Sequence, residues 1–85
     1  MTNKLTAESI KAEAIAHLTQ WKEMDYVIPN TNALWGETKT WAKRKGWEMG
    51  GGYASHGSSI SVRVLTGENV ETDLYSFDIE LSEVQ

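Results

Sequence analysis

Residues 50–59 read Gly-Gly-Gly-Tyr-Ala-Ser-His-Gly-Ser-Ser, and their composition could wrap a small ligand. Consecutive glycines let backbone N–H groups come close to an anion. Gly50, Gly51, Gly52, Tyr53, Ser55, His56 and Ser58, with Arg63 beyond them, could line a pocket for a nucleotide or another small anion at an oligomer interface. The order of residues fits neither GxxxxGKS/T nor GxGxxG. The plainer reading is a flexible strand connection. His56 beside Ser55, Ser58 and Ser59 raises a Ser–His pair. Residues so close in a loop rarely hold the geometry a nucleophile needs, and no carboxylate is placed to orient the imidazole. The chain therefore reads as a binding protein rather than an enzyme.

Two further stretches carry charge. Trp41-Ala-Lys-Arg-Lys-Gly-Trp47 sets Lys43, Arg44 and Lys45 between tryptophans, a pattern that could hold nucleic-acid phosphates and stack bases. The same three cations also complement the dipole at a helix C-terminus, which needs no ligand. Glu71, Asp73, Asp78 and Glu80 recur two apart near the other end. On one face of a strand that spacing is about 6.6–6.8 Å, resembling successive phosphates along a nucleic-acid strand. Such carboxylates can dock a basic partner, or simply guard a sheet edge.

Four tryptophans in 85 residues cannot all be fully buried in a thin core. Tryptophan is enriched among interface anchors. Trp35, off the centre of its apolar stripe, is the expected exposed one.

These residues need elements to position them. Thr6 is an N-cap for a helix from Ala7 to about Met24, with Ile10, Ala14, Leu18 and Trp21 on one stripe. Pro29 must end it, and Tyr26–Ile28 could be a short edge strand. A second helix is expected from Ala33 to Lys45, with Leu34, Trp35, Thr38, Trp41 and Ala42 on one face. Gly36 inside it suggests a close contact, and Gly46 suits a left-handed cap. Trp47–Met49 could be a short strand. Ile60–Thr66 and Val70–Leu81 alternate as two arms of a hairpin around Gly67-Glu68-Asn69. In that register Glu71 and Asp73 extend the apolar face of Tyr75, Phe77, Ile79 and Leu81, so the tip should project past the core. Residues 1–5 and 82–85 are expected to fray.

The fold class expected is α+β: two N-terminal helices packed on a small antiparallel sheet ending in a C-terminal β-hairpin, as one domain over residues 1–85. With no cysteine, disulfides and cysteine-based zinc sites are excluded, and only His17 and His56 offer imidazole. No metal or cofactor is implied. Self-association is the remaining way to reinforce a small core, so a homo-oligomer is expected. No leader or membrane span is visible, and a cytoplasmic protein is expected. Net charge is −4, unevenly spread: residues 1–49 carry +1 and residues 50–85 carry −5. In size and acidity the chain resembles the short accessory and inhibitor proteins of phages and other mobile elements, a resemblance that transfers no residue. The expected function is recognition of a protein partner through Glu71, Asp73, Asp78, Glu80 and Trp35. A small anion at the glycine segment comes second, and nucleic acid at Lys43, Arg44 and Lys45 third.

Overall fold

Capping begins each helix. The computed structural model describes residues 5–54 and 56–85. Helix α1 spans Ala7–Thr19, and the Thr6 hydroxyl accepts the Ser9 N–H while the Ser9 hydroxyl accepts the Thr6 N–H, both at 3.0 Å. These contacts satisfy donors that the first turn leaves without partners. Ile10, Ala14 and Leu18 are its buried face. The chain does not continue as α-helix to Met24; it tightens into a 3-10 turn, Gln20–Met24, that ends at Asp25 in the left-handed region (φ 58°). Tyr26–Ile28 are not a strand: only Ile28 is buried, and Tyr26 and Val27 face outward.

Helix α2 spans Thr31–Arg44, with the Asn30 side chain accepting the Ala33 N–H at 2.9 Å. At its end Gly46 takes φ 78°. The Gly46 and Trp47 N–H groups then return to the Lys43 and Ala42 carbonyls, each at 3.0 Å, the Schellman arrangement that glycine makes cheap. Trp47 thereby folds back edge-on against Trp41, ring centroids 5.7 Å apart. Gly36 does not serve a close contact: a Cβ there would meet nothing within 4 Å.

Three strands follow, β1 (Glu48–Tyr53), β2 (Ser59–Leu65) and β3 (Leu74–Glu80), antiparallel in the order β1-β2-β3. The expected loop over 50–59 is therefore corrected, because Gly50–Tyr53 pair with Arg63–Ile60 as strand. Glycine is what permits it at Gly51, where φ is 118° and a Cβ would run into the Ser61 carbonyl. The second hairpin arm begins at Leu74, not Val70. Asn69 and Asp73 close a loop instead: the Asp73 N–H reaches the Asn69 carbonyl at 2.7 Å, and the Asn69 N–H reaches the Asp73 carboxylate at 3.2 Å. Glu71 and Asp73 thus lie on a turn and not on the strand face.

Helix α1 lies against β3 and α2 against β1 and β2. Ile60, Val62, Val64 and Ile79 meet Ile10, Leu18, Ile28, Leu34 and Trp41 in one core. The C-terminal segment is not frayed. Leu81–Glu83 form a 3-10 turn, the Leu81 N–H donates to the Ser58 carbonyl at 2.6 Å, and Val84 is 1% exposed. Residues 1–4, expected to fray, lie outside the described residues. The molecule measures 37 × 28 × 19 Å. A thickness of 19 Å accommodates one sheet and one helix layer. The other face of the sheet is therefore left to solvent.

Candidate functional site

Strand parity decides what that open face carries. Side chains alternate across a sheet, so the register aligns Gly52–Ser61–Asp78, Gly50–Arg63–Ser76 and Glu48–Leu65–Leu74 as cross-strand rows, with Ser59 opposite Glu80 beyond them. All are exposed except Ser59 and Leu65, which are half-buried. The middle is made of glycine and serine, so backbone and Arg63 are both reachable from solvent. Arg63 is in no ion pair among the described residues. A shallow depression of about 360 Å³ is lined by Glu48, Gly50, Arg63, Leu65 and Leu74, with Met49 and Gly51 beneath.

Of the four expected carboxylates, Asp78 and Glu80 stand on this face along β3. Asp78 is exposed and forms no ion pair among the described residues. Glu80 is partly committed, because its side chain accepts the Glu83 N–H while its own N–H donates to the Glu83 carboxylate at 3.0 Å. That backbone hydrogen bond holds the Glu83 carboxyl below its ordinary range, against a slight opposing effect of burial and with help from Lys11 at 3.4 Å. Asp73 is engaged inside its loop, also accepting the Thr72 hydroxyl at 3.2 Å. Glu71 is exposed at the tip. Trp35 does not join them. It is half-buried in the helix layer, its ring 5.3 Å from that of Tyr53 on β1, and β3 is the opposite edge of the sheet.

The expected anion pocket separates in the same way. Gly50, Gly52 and Arg63 share the open face, while Gly51 pairs with Val62 on the other parity and the Tyr53 hydroxyl donates to the Asn32 side chain of α2 at 2.8 Å. His56 and Ser58 lie in the β1–β2 turn, both exposed. Ser55 lies outside the described residues. The three cations at the end of α2 also diverge. Lys43 lines a groove of about 430 Å³ with Lys39, Trp47, Glu48 and Met49. Lys45 pairs with Glu13 and sits 5.1 Å from the Trp47 ring. Arg44 acts on His17, whose pKa is lowered mainly by burial and then by Arg44, with Glu37 opposing.

The sequence reading missed Gly50, Gly52, Ser61 and Ser76 as one surface. Ser61 and Arg63 were already legible as one side of an alternating strand. The glycines were not, because three in a row carry no alternation. Among the described residues there is no group of three or more His, Asp or Glu placed to hold a metal ion, and no helix is long and apolar enough to cross a membrane. No protein-family model, curated protein or solved structure is significantly similar to the chain.

Proposed function

We propose that this is a small non-catalytic binding protein, of the accessory or inhibitor kind, that docks a protein partner with a basic surface on the open face of its sheet. The observation that carries the reading is that this face is uncovered, low in relief across Gly50, Gly52, Ser61 and Ser76, and rimmed by Asp78 and Glu80. Small side chains let a partner approach the strands closely, and the carboxylates steer it into register. Trp35 is dropped from the surface, and Glu71 extends it at the tip.

The test is capture from host extract with wild type and with the double variant Asp78→Lys/Glu80→Lys. The expected outcome is a loss of about tenfold or more in the captured partner, at unchanged circular dichroism. Glu23→Lys, on the helix layer, should capture as wild type does. Capture that ignores the double reversal removes the proposal.

The depression around Arg63 favours a second reading, a small anion held by Arg63 above Gly50. Glu48 in the same depression opposes it. Inorganic phosphate or a nucleotide at about 100 times its dissociation constant would stabilise the fold by about 2.7 kcal/mol. Under this reading the stabilisation disappears in Arg63→Gln.

A further inference from the structure

On the helix layer, remote from the open sheet face, two aromatic rings form a corner. Trp21 in the 3-10 turn and Tyr26 just beyond it stand at 75° with centroids 6.0 Å apart. Together with Met24 and Glu37 they line an open cleft of about 340 Å³, at the small end of the roughly 300–1,000 Å³ typical of ligand pockets.

Backbone geometry builds this corner in advance. Asp25 adopts the left-handed conformation, its N–H donates to the Lys22 carbonyl at 3.1 Å, and the Tyr26 N–H donates to the Trp21 carbonyl at 3.0 Å. The reversal folds the Tyr26 ring back onto the turn that carries Trp21. The Trp21 indole N–H is buried and has no hydrogen-bond partner among the described residues, while the ring lines the cleft. The corner is also conspicuous in its exposure: Met24 is 67%, Val27 59% and Tyr26 43% exposed. A core would have covered such side chains.

The charges around the corner are mostly negative. Glu37 is part of its wall and is in no ion pair among the described residues. Glu23 and Asp25 flank it in sequence against Lys22 alone. Arg44 lies seven residues along α2 from Glu37, a displacement of about 10 Å along the axis, and the two act on His17 in opposite directions. Two aromatic walls near a right angle, a polarisable thioether and one unpaired carboxylate suit a diffuse positive charge. A π face attracts a cation, and quaternary ammonium groups are held in this way because they carry charge with little hydration to lose.

We propose that the Trp21–Met24–Tyr26–Glu37 corner is a binding site for a small free organic cation of the quaternary or alkylated ammonium class. Tyr26 and Trp21 supply the cation–π walls, and Glu37 supplies the counter-charge. The site is independent of the sheet-face reading, and either can fail alone.

The test uses the full chain and titrates choline and its neutral carbon isostere, in which a tert-butyl group replaces the trimethylammonium. Binding is followed by tryptophan fluorescence and by the Trp21 and Tyr26 resonances in NMR spectra. Choline should bind about tenfold more tightly than the isostere, since the two differ in charge and not in shape. Glu37→Gln should weaken choline about fivefold and leave the isostere unchanged. Tyr26→Leu, at an exposed position, should weaken choline by about tenfold while its spectrum shows an intact fold. Equal binding of choline and the isostere would make the corner a mere apolar contact and overturn the proposal. So would an absence of saturable shifts at Trp21 with choline.

Discussion

Gly51 and His17 are the positions where single side chains set measurable behaviour. Gly51 sits in a strand with φ 118°, and a Cβ there would strike the β2 backbone. Gly51→Ala is expected to cost about 2–3 kcal/mol in urea unfolding, from strain and a lost β1–β2 approach. Gly50→Ala, where a Cβ meets nothing within 4 Å, should change stability far less. His17 gives a pH signature. Burial, then Arg44, lowers its pKa in the fold from the ordinary 6.5. Below about pH 6.5 the unfolded chain therefore takes up more protons than the folded one, so stability falls as pH drops toward the lowered value and then levels off. His17→Gln should flatten that part of the curve, read by denaturant titration across pH 5–8. Glu83 contributes at lower pH. Its pKa is depressed from 4.5 chiefly by the Glu80 N–H, so its contribution is present above that value and is lost as pH falls through the depressed one.

At the scale of elements, α2 allows the clearest stability prediction. Its ends are well specified by Asn30 and Gly46, but Gly36 stands within it, exposed and with open space where a Cβ would go. Gly36→Ala should stabilise the protein by about 0.5–1 kcal/mol, seen as a higher melting temperature. The start of α1 and the end of α2 were legible in the sequence because caps are local chemistry: Thr6 and Gly46 act within a few residues of themselves. The strands β2 and β3 were legible through alternation, which marks Ile60, Val62, Val64 and Ile79 as inward. Only the start of β1, within the short strand expected at Trp47–Met49, was legible; the rest was not, because Gly50–Gly52 have no side chains to alternate and are fixed by pairing with Arg63, Val62 and Ser61. The start of β3 was misread for a related reason. Val70–Asp73 still alternate, but with Glu71 and Asp73 on the parity that is apolar from Tyr75 onward, and Asn69 and Asp73 offer a hydrogen-bonded loop that the pattern does not register.

For the whole molecule, charge asymmetry and layer count matter most. The acidic part of the chain, residues 50–85, becomes most of β1, all of β2 and β3 and the C-terminal turn, and its carboxylates spread over the open face, the tip and that turn. The sequence disclosed the asymmetry, but not that Trp35 would face the opposite layer, since that depends on which edge α2 covers. The Trp21–Tyr26 corner was equally hidden, because it exists only through the left-handed turn at Asp25. A single helix layer on one sheet leaves one broad surface without a structural task, and the docking reading rests on it. The most direct test is an amide NMR map with the captured partner added to labelled protein. Perturbation should concentrate at Gly50, Gly52, Ser61, Arg63, Ser76 and Asp78. Shifts confined to the helix layer, around Trp35, Lys39 and Lys43, would contradict it.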